Sequence, residues 1–254
     1  MADSPPGSAA DPGWAAPAGA DAVYARIASV RERIGAAGGD PAAIRLIAVA
    51  KGFGPEAVRF ALAAGVDDIG ENYASELRAK AAGLDAAEPG AGAIRAPGRL
   101  VRWHYLGAVQ RRSVRTIAPL VAMWHGVCRV EEGVAIAAAT PGAPVLVELE
   151  LTGLPGRRGV EPGALASLVA GLRDAGVVPV GVMAIGAPGD PVLTRRAFER
   201  AAAMAGETGL AEVSIGMSDD LEIAVRAGAT MVRVGRAIFG ERPRRRPPEG
   251  SRAK

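Results

Sequence analysis

The sequence predicts an α/β fold, because strand and helix alternate from one end of the chain to the other. Eight short apolar runs, at 44–50, 67–70, 102–106, 122–127, 145–151, 179–185, 212–216 and 230–234, have the length and composition of buried parallel strands. Amphipathic stretches such as 55–64, 161–175 and 190–206 separate them. At 254 residues and 49% hydrophobic, the chain has the size of one (β/α)8 barrel, a fold of about 250 residues. A doubly wound open sheet has the same local pattern, so periodicity leaves both architectures open.

Residues 1–19, rich in Ala, Pro and Gly, form an expected disordered leader with neither the basic start nor the apolar run of a signal peptide. A helix follows over 20–36 and stops at Gly38-Gly39-Asp40-Pro41. The run Leu46 to Ala50 then delivers Lys51 to a strand end, with Gly52, Gly54 and Pro55 turning the chain into the next helix. The second strand ends in Gly70-Glu71-Asn72-Tyr73, and residues 83–100 form a loop rich in Ala, Gly and Pro. His104 to Gln110 spans the end of the third strand, and Met183 ends the sixth. Gly216-Met217-Ser218-Asp219-Asp220 follows the seventh, and the eighth carries Arg233 and Gly235. Residues 20–241 thus make a single expected domain, followed by a basic, disordered tail at 242–254.

Composition excludes several functions. With Cys128 the sole cysteine there is no intrachain disulfide, and a reducing compartment is the simpler expectation. The only histidines, His104 and His125, lack metal-ligand company, so no metal site is expected. No apolar stretch reaches the roughly 18 charge-free residues of a membrane span. A soluble, cytoplasmic protein is expected. The isoelectric point of 9.4 invites a nucleic-acid function. Residues 241–254 hold six basic and two acidic residues, so the basicity sits in the tail and the body is close to neutral.

Four positions have chemical promise. An ammonium emerging from an apolar strand is poorly solvated, which favours the neutral amine that attacks an aldehyde. The alternative is a Lys51 that snorkels into water. Ser218 can cap the following helix or offer its hydroxyl and N–H to an anion. By alternation, Arg233 faces either the barrel mouth or the outer helices, and when buried it needs a partner, such as Glu71 or a ligand. Gly235 permits close backbone approach to a ligand and offers an N–H.

The segments IRLIAVAKGFGPEAVRFALAAGVDDIGENY (44–73) and VSIGMSDDLEIAVRAGATMVRVGRAIFG (213–240) together resemble the two signatures of the pyridoxal-phosphate homeostasis proteins, single-barrel relatives of the alanine racemase N-terminal domain. The resemblance covers roughly 20–241. It implies a TIM barrel of fold type III that binds pyridoxal 5′-phosphate (PLP). It implies Lys51 as the Schiff-base lysine, Arg233 opposite the pyridine nitrogen, and Asn72 and Met183 lining the ring. Ser218, Gly235 and the backbone amide of Arg236 would surround the phosphate. An arginine there disfavours protonating the pyridine nitrogen and weakens the ring as an electron sink, which suits a carrier.

The implied function is a non-catalytic PLP-binding protein of intracellular PLP homeostasis that supplies apoenzymes, as a monomer or weak homodimer. The alternative is an amino-acid racemase. That family's second base comes from a separate β domain, for which the residues after the eighth strand leave no room. Ala50, Arg112-Ser113, Gly126-Val127-Cys128, Glu150 and Arg236 depart from the family's usual residues. Arg236 is expected to point to solvent, because Gly235 beside it on the strand would face the ligand.

Overall fold

The structure, a computed structural model, describes residues 14–85 and 100–241. Its strands are β1 (Arg45–Val49), β2 (Asp68–Glu71), β3 (Arg102–Tyr105), β4 (Val121–Val127), β5 (Pro144–Leu149), β6 (Val178–Ala184), β7 (Glu212–Ser214) and β8 (Met231–Val234). Each is parallel to the next, and β8 returns to β1 to close the barrel. The helices are α1 (Ala20–Ala36), α2 (Pro55–Ala63), α3 (Ala74–Asp85), α4 (Arg111–Ile117), α5 (Val130–Ala137), α6 (Leu165–Asp174), α7 (Pro191–Glu207), α8 (Leu221–Arg226) and α9 (Arg236–Phe239). Closure excludes the doubly wound alternative. None of the helices among the described residues is long and apolar enough to cross a membrane.

The alternation of each strand divides the core in two. Leu46 and Ala48 of β1 and Val232 and Val234 of β8 turn outward into the large apolar layer beneath the helices. Their neighbours Ile47 and Met231 turn inward and meet Leu146 and Met183 in a separate cluster within the barrel. The β1–β8 register sets Ile47 opposite Arg233 and Ala48 opposite Val234. Helix α1 seals the seam: Val23, Ile27, Val30 and Ile34 are all buried, a spacing that keeps one face on the barrel. It touches α2, α8 and α9, filling the place left by the four-residue α9.

Several expected boundaries shift for identifiable reasons. Residues 14–19 belong to the body rather than to a disordered leader: Ala15 bridges Phe53, and Ala18 N donates to Phe239 O at 3.1 Å. Residues 83–85, expected in a loop, complete α3, and the remainder of that loop at 86–99 lies outside the described residues. So do the first part of the expected leader, 1–13, and the tail, 242–254. Strand β7 stops at Ser214 because Gly216 turns the chain at φ +89°. Strand β5 stops at Leu149, where the Glu150 carboxylate accepts from Thr152 N, Thr152 Oγ1 and Gly153 N. This departure from the family's usual residue therefore forms a turn.

Gly181 of β6 is fixed by close approach, since a Cβ there would lie 2.1 Å from Glu212 O on the neighbouring strand. Gly206, exposed in α7, has nothing within 4 Å. Gly181→Ala is expected to cost about 1–3 kcal/mol or more through strand displacement. Gly206→Ala is expected to gain about 0.5–1 kcal/mol from a less flexible unfolded chain. Urea denaturation of the two variants checks both signs.

Candidate functional site

Lys51 occupies the turn after β1, half-buried, with Gly52 at φ +79° immediately behind it. The peptide groups on both sides are clamped. Ala50 N donates to Gly70 O at 3.0 Å, and Gly52 O accepts from Ala15 N at 2.9 Å. From α3, Lys80 Nζ donates to Ala50 O at 2.8 Å while the Glu76 carboxylate accepts from Gly52 N at 2.6 Å. Lys80 is itself fully buried, bonded to Glu71 and, at 3.1 Å, to Glu76, with the Trp14 ring 5.7 Å from its Nζ.

Sequence inspection passes over Lys80, because a lysine in an Ala-rich helix has the pattern of a solvated face. The available signal was Glu76 four residues before it, on the same helix face as Leu77. Two carboxyls share this one ammonium. Burial therefore pushes Glu71 up to about 7, helped by Glu76 and opposed by Lys80.

Arg233 faces the barrel interior and is buried. Its partner is not Glu71, which Lys80 occupies. Nη1 donates to Ser214 O at 2.6 Å and Ser214 Oγ at 2.8 Å, and Nη2 donates to Ala184 O at 3.1 Å. Burial pulls the guanidinium down to about 10, so it remains a cation at neutral pH. Behind it, Ser214 Oγ lies 3.3 Å from His125 Nδ1, His125 Nε2 lies 3.0 Å from His104 Nδ1, and His104 Nε2 lies 2.8 Å from Asp68 Oδ1. No metal-holding group occurs among the described residues.

The other candidates lie on the same rim. Asn72 follows β2, and its Oδ1 is buried with no hydrogen-bond partner among the described residues. Met183 is buried in β6. Ser218 caps a different helix from the one expected: its Oγ accepts from Ala237 N of α9 at 3.2 Å, tying the loop after β7 to the loop after β8. Gly235 lies against β1, where a Cβ would stand 3.1 Å from Val49 O, and its φ of −115° needs no glycine. Close strand approach, as well as any ligand, accounts for it.

Arg236 opens α9 instead of extending β8, so strand alternation does not set its direction. Asp219 does: the guanidinium pairs with it and reaches Glu241 at 3.5 Å, half-exposed. Across the mouth, Glu148 and Arg158 stand 3.7 Å apart. Burial and the nearby Glu148 push the Cys128 thiol up to about 12, which leaves little thiolate for redox chemistry.

All seven candidates come from the contiguous strands β6, β7, β8, β1 and β2 or the segments that directly follow them. They present an amine, a buried guanidinium and a hydroxyl-bearing loop along one arc of the mouth. The family described as alanine racemase, N-terminal domain, matches residues 20–243. The pyridoxal phosphate homeostasis protein of Deinococcus radiodurans is 34% identical, covering 85% of this chain and 99% of the relative. The chain belongs to this family. The Pseudomonas aeruginosa member is 36% identical over 85% of this chain and 92% of its own length. Among solved structures, PipY of Synechococcus elongatus PCC7942 with PLP bound is 30% identical with a TM-score of 0.70, covering 86% of this chain and all of PipY, 100%.

The buried cluster yields a stability test. Lys80→Met strands two carboxyls and is expected to cost about 3–5 kcal/mol in urea denaturation. Glu71 is raised from 4.5 to about 7. Its protonated form is therefore favoured by folding, and that stability is complete below about 4.5 and lost as pH rises through about 7. Relative to Glu71→Gln, the wild type is expected to lose stability between these limits, and a flat difference would contradict the shift.

Proposed function

We propose that this chain is a non-catalytic PLP-binding protein of intracellular PLP homeostasis, holding the cofactor as a Schiff base on Lys51 and supplying it to apoenzymes. The observation that carries this is the convergence of Lys51 and Arg233 on adjoining strands of one barrel mouth. Family membership and the bound PLP of PipY support the choice of ligand.

The residues fit the cofactor. PLP supplies an aldehyde for an amine and a pyridine ring that can withdraw electrons. Lys51 contributes the amine, on a turn held at both flanking peptides. Arg233 has N–H groups beyond those bonded to Ser214 and Ala184, and donates one to the pyridine nitrogen. As a permanent cation it keeps that nitrogen unprotonated, which restrains the carbanion chemistry that racemisation needs. Asn72 Oδ1, buried without a partner among the described residues, accepts a hydrogen bond from the ring hydroxyl. Met183 packs against the ring. Ser218 and the backbone amides of Gly235 and Arg236 hold the phosphate, and the Arg236 side chain stays with Asp219.

Purified protein loaded with PLP should have visible absorbance that Lys51→Ala abolishes while far-UV circular dichroism is retained. Racemisation should not exceed that of free PLP, and stereospecific turnover dependent on Lys51 would replace the carrier role with the racemase one. In equilibrium dialysis, Arg236→Thr should keep PLP affinity within about threefold, because an exposed ion pair contributes little. A tenfold loss, about 1.4 kcal/mol, would place the guanidinium on the phosphate.

A further inference from the structure

The polar contacts behind Arg233 have a direction that follows from proton counting. Asp68 is gripped by Arg102, Nε to Oδ1 at 2.9 Å and Nη2 to Oδ2 at 2.5 Å, which holds its carboxyl well below the usual range. An ionised carboxylate only accepts, so His104 Nε2, 2.8 Å away, carries a proton. His104 is buried, with the cations Arg45 and Arg102 near, and is held neutral. Its Nδ1 is then bare, and His125 Nε2 at 3.0 Å must donate to it.

The same step repeats at His125. This ring is buried, with His104, Arg233 and Arg45 around it, and it too is neutral. Its Nδ1 therefore accepts from the Ser214 hydroxyl at 3.3 Å. Having given its only proton, Ser214 Oγ accepts from Arg233 Nη1 at 2.8 Å. The sense runs from Arg233 through Ser214, His125 and His104 to Asp68, each donor meeting one acceptor.

We propose that Ser214, His125, His104 and Asp68 are positioning residues, a one-way hydrogen-bond chain that holds the Arg233 guanidinium in the plane it presents to the bound pyridine ring. The role toward the ring rests on the PLP function proposed above, whereas the sense of the chain is a property of the protein alone. The fixed Ser214 hydroxyl makes Oγ an acceptor beside Ser214 O, so Nη1 is held by two oxygens of β7 while Ala184 O of β6 holds Nη2. These bonds restrain rotation of the guanidinium. The competing arrangement puts a second proton on His104, reverses His125 and leaves the Ser214 proton to find another acceptor in the barrel interior.

Since His104 and His125 are the only histidines, nitrogen-15 NMR of the imidazoles gives a two-residue readout. Cofactor-free wild-type protein at about pH 7.5 should show two neutral rings, each protonated at Nε2 and bare at Nδ1. A doubly protonated His104, or Nδ1–H on either ring, would overturn the chain. Adding PLP should shift the His125 nitrogens. In Ser214→Ala, PLP should still label Lys51 under borohydride, but the His125 response should vanish and affinity fall about tenfold, the scale of one charge-assisted hydrogen bond. Unchanged affinity and an unchanged His125 response would refute the positioning role. If wild-type Lys51 takes no label while the tautomers stand as described, the PLP function fails and the chain survives. If Ser214→Ala does not fold, the wild-type tautomers and their response to PLP decide.

Discussion

The pairing of β8 with β1 is the constraint on which the rest of the structure depends. Lys51 and Arg233 are far apart in sequence, and only closure of the sheet makes their strands neighbours, with Ile47 opposite Arg233. The same pairing turns Val232 and Val234 outward into the large apolar layer, and that burial stabilises the register. A slip of one residue would turn these valines into the barrel interior and Arg233 into the helix layer. Thus the hydrophobic demand of the outer face fixes the polar geometry of the inner one.

Within that frame the site is held by buried charge. Burying an ammonium or a guanidinium is costly unless its donors find acceptors, and Lys80 and Arg233 both draw on backbone carbonyls for this, Lys80 together with the Glu71 and Glu76 carboxylates and Arg233 together with the Ser214 hydroxyl. Lys80 uses Ala50 O, and Arg233 uses Ser214 O and Ala184 O. These carbonyls belong to strands or to the turn that follows one. Each cation thereby ties side chain to main chain at the mouth, which gives preorganisation that loops alone would not supply.

The strands were legible because a parallel strand covered on both faces is a continuous apolar run, and its end is marked where a charge and a glycine follow, as at Lys51 and Gly52. Lys51, Arg233 and Ser218 could be placed on the correct rim from this pattern together with the family signatures. What stayed hidden is side-chain partnership across the chain. Lys80 reaches β1 and β2 from α3, and the histidines link strands that sequence spacing does not relate. Trp14 and Ala15 pack against the body despite a composition like that of the leader before them. The solvent direction expected for Arg236 followed from strand alternation, but a helix begins there and Asp219 orients the side chain.

Covalent retention of PLP at the barrel mouth through Lys51 is the proposal on which the functional reading stands. Borohydride reduction of the PLP-loaded protein, followed by peptide mass mapping, tests it most directly. A phosphopyridoxyl group is expected on Lys51 and on no other lysine, buried Lys80 included. A label elsewhere, or none on Lys51, would contradict it.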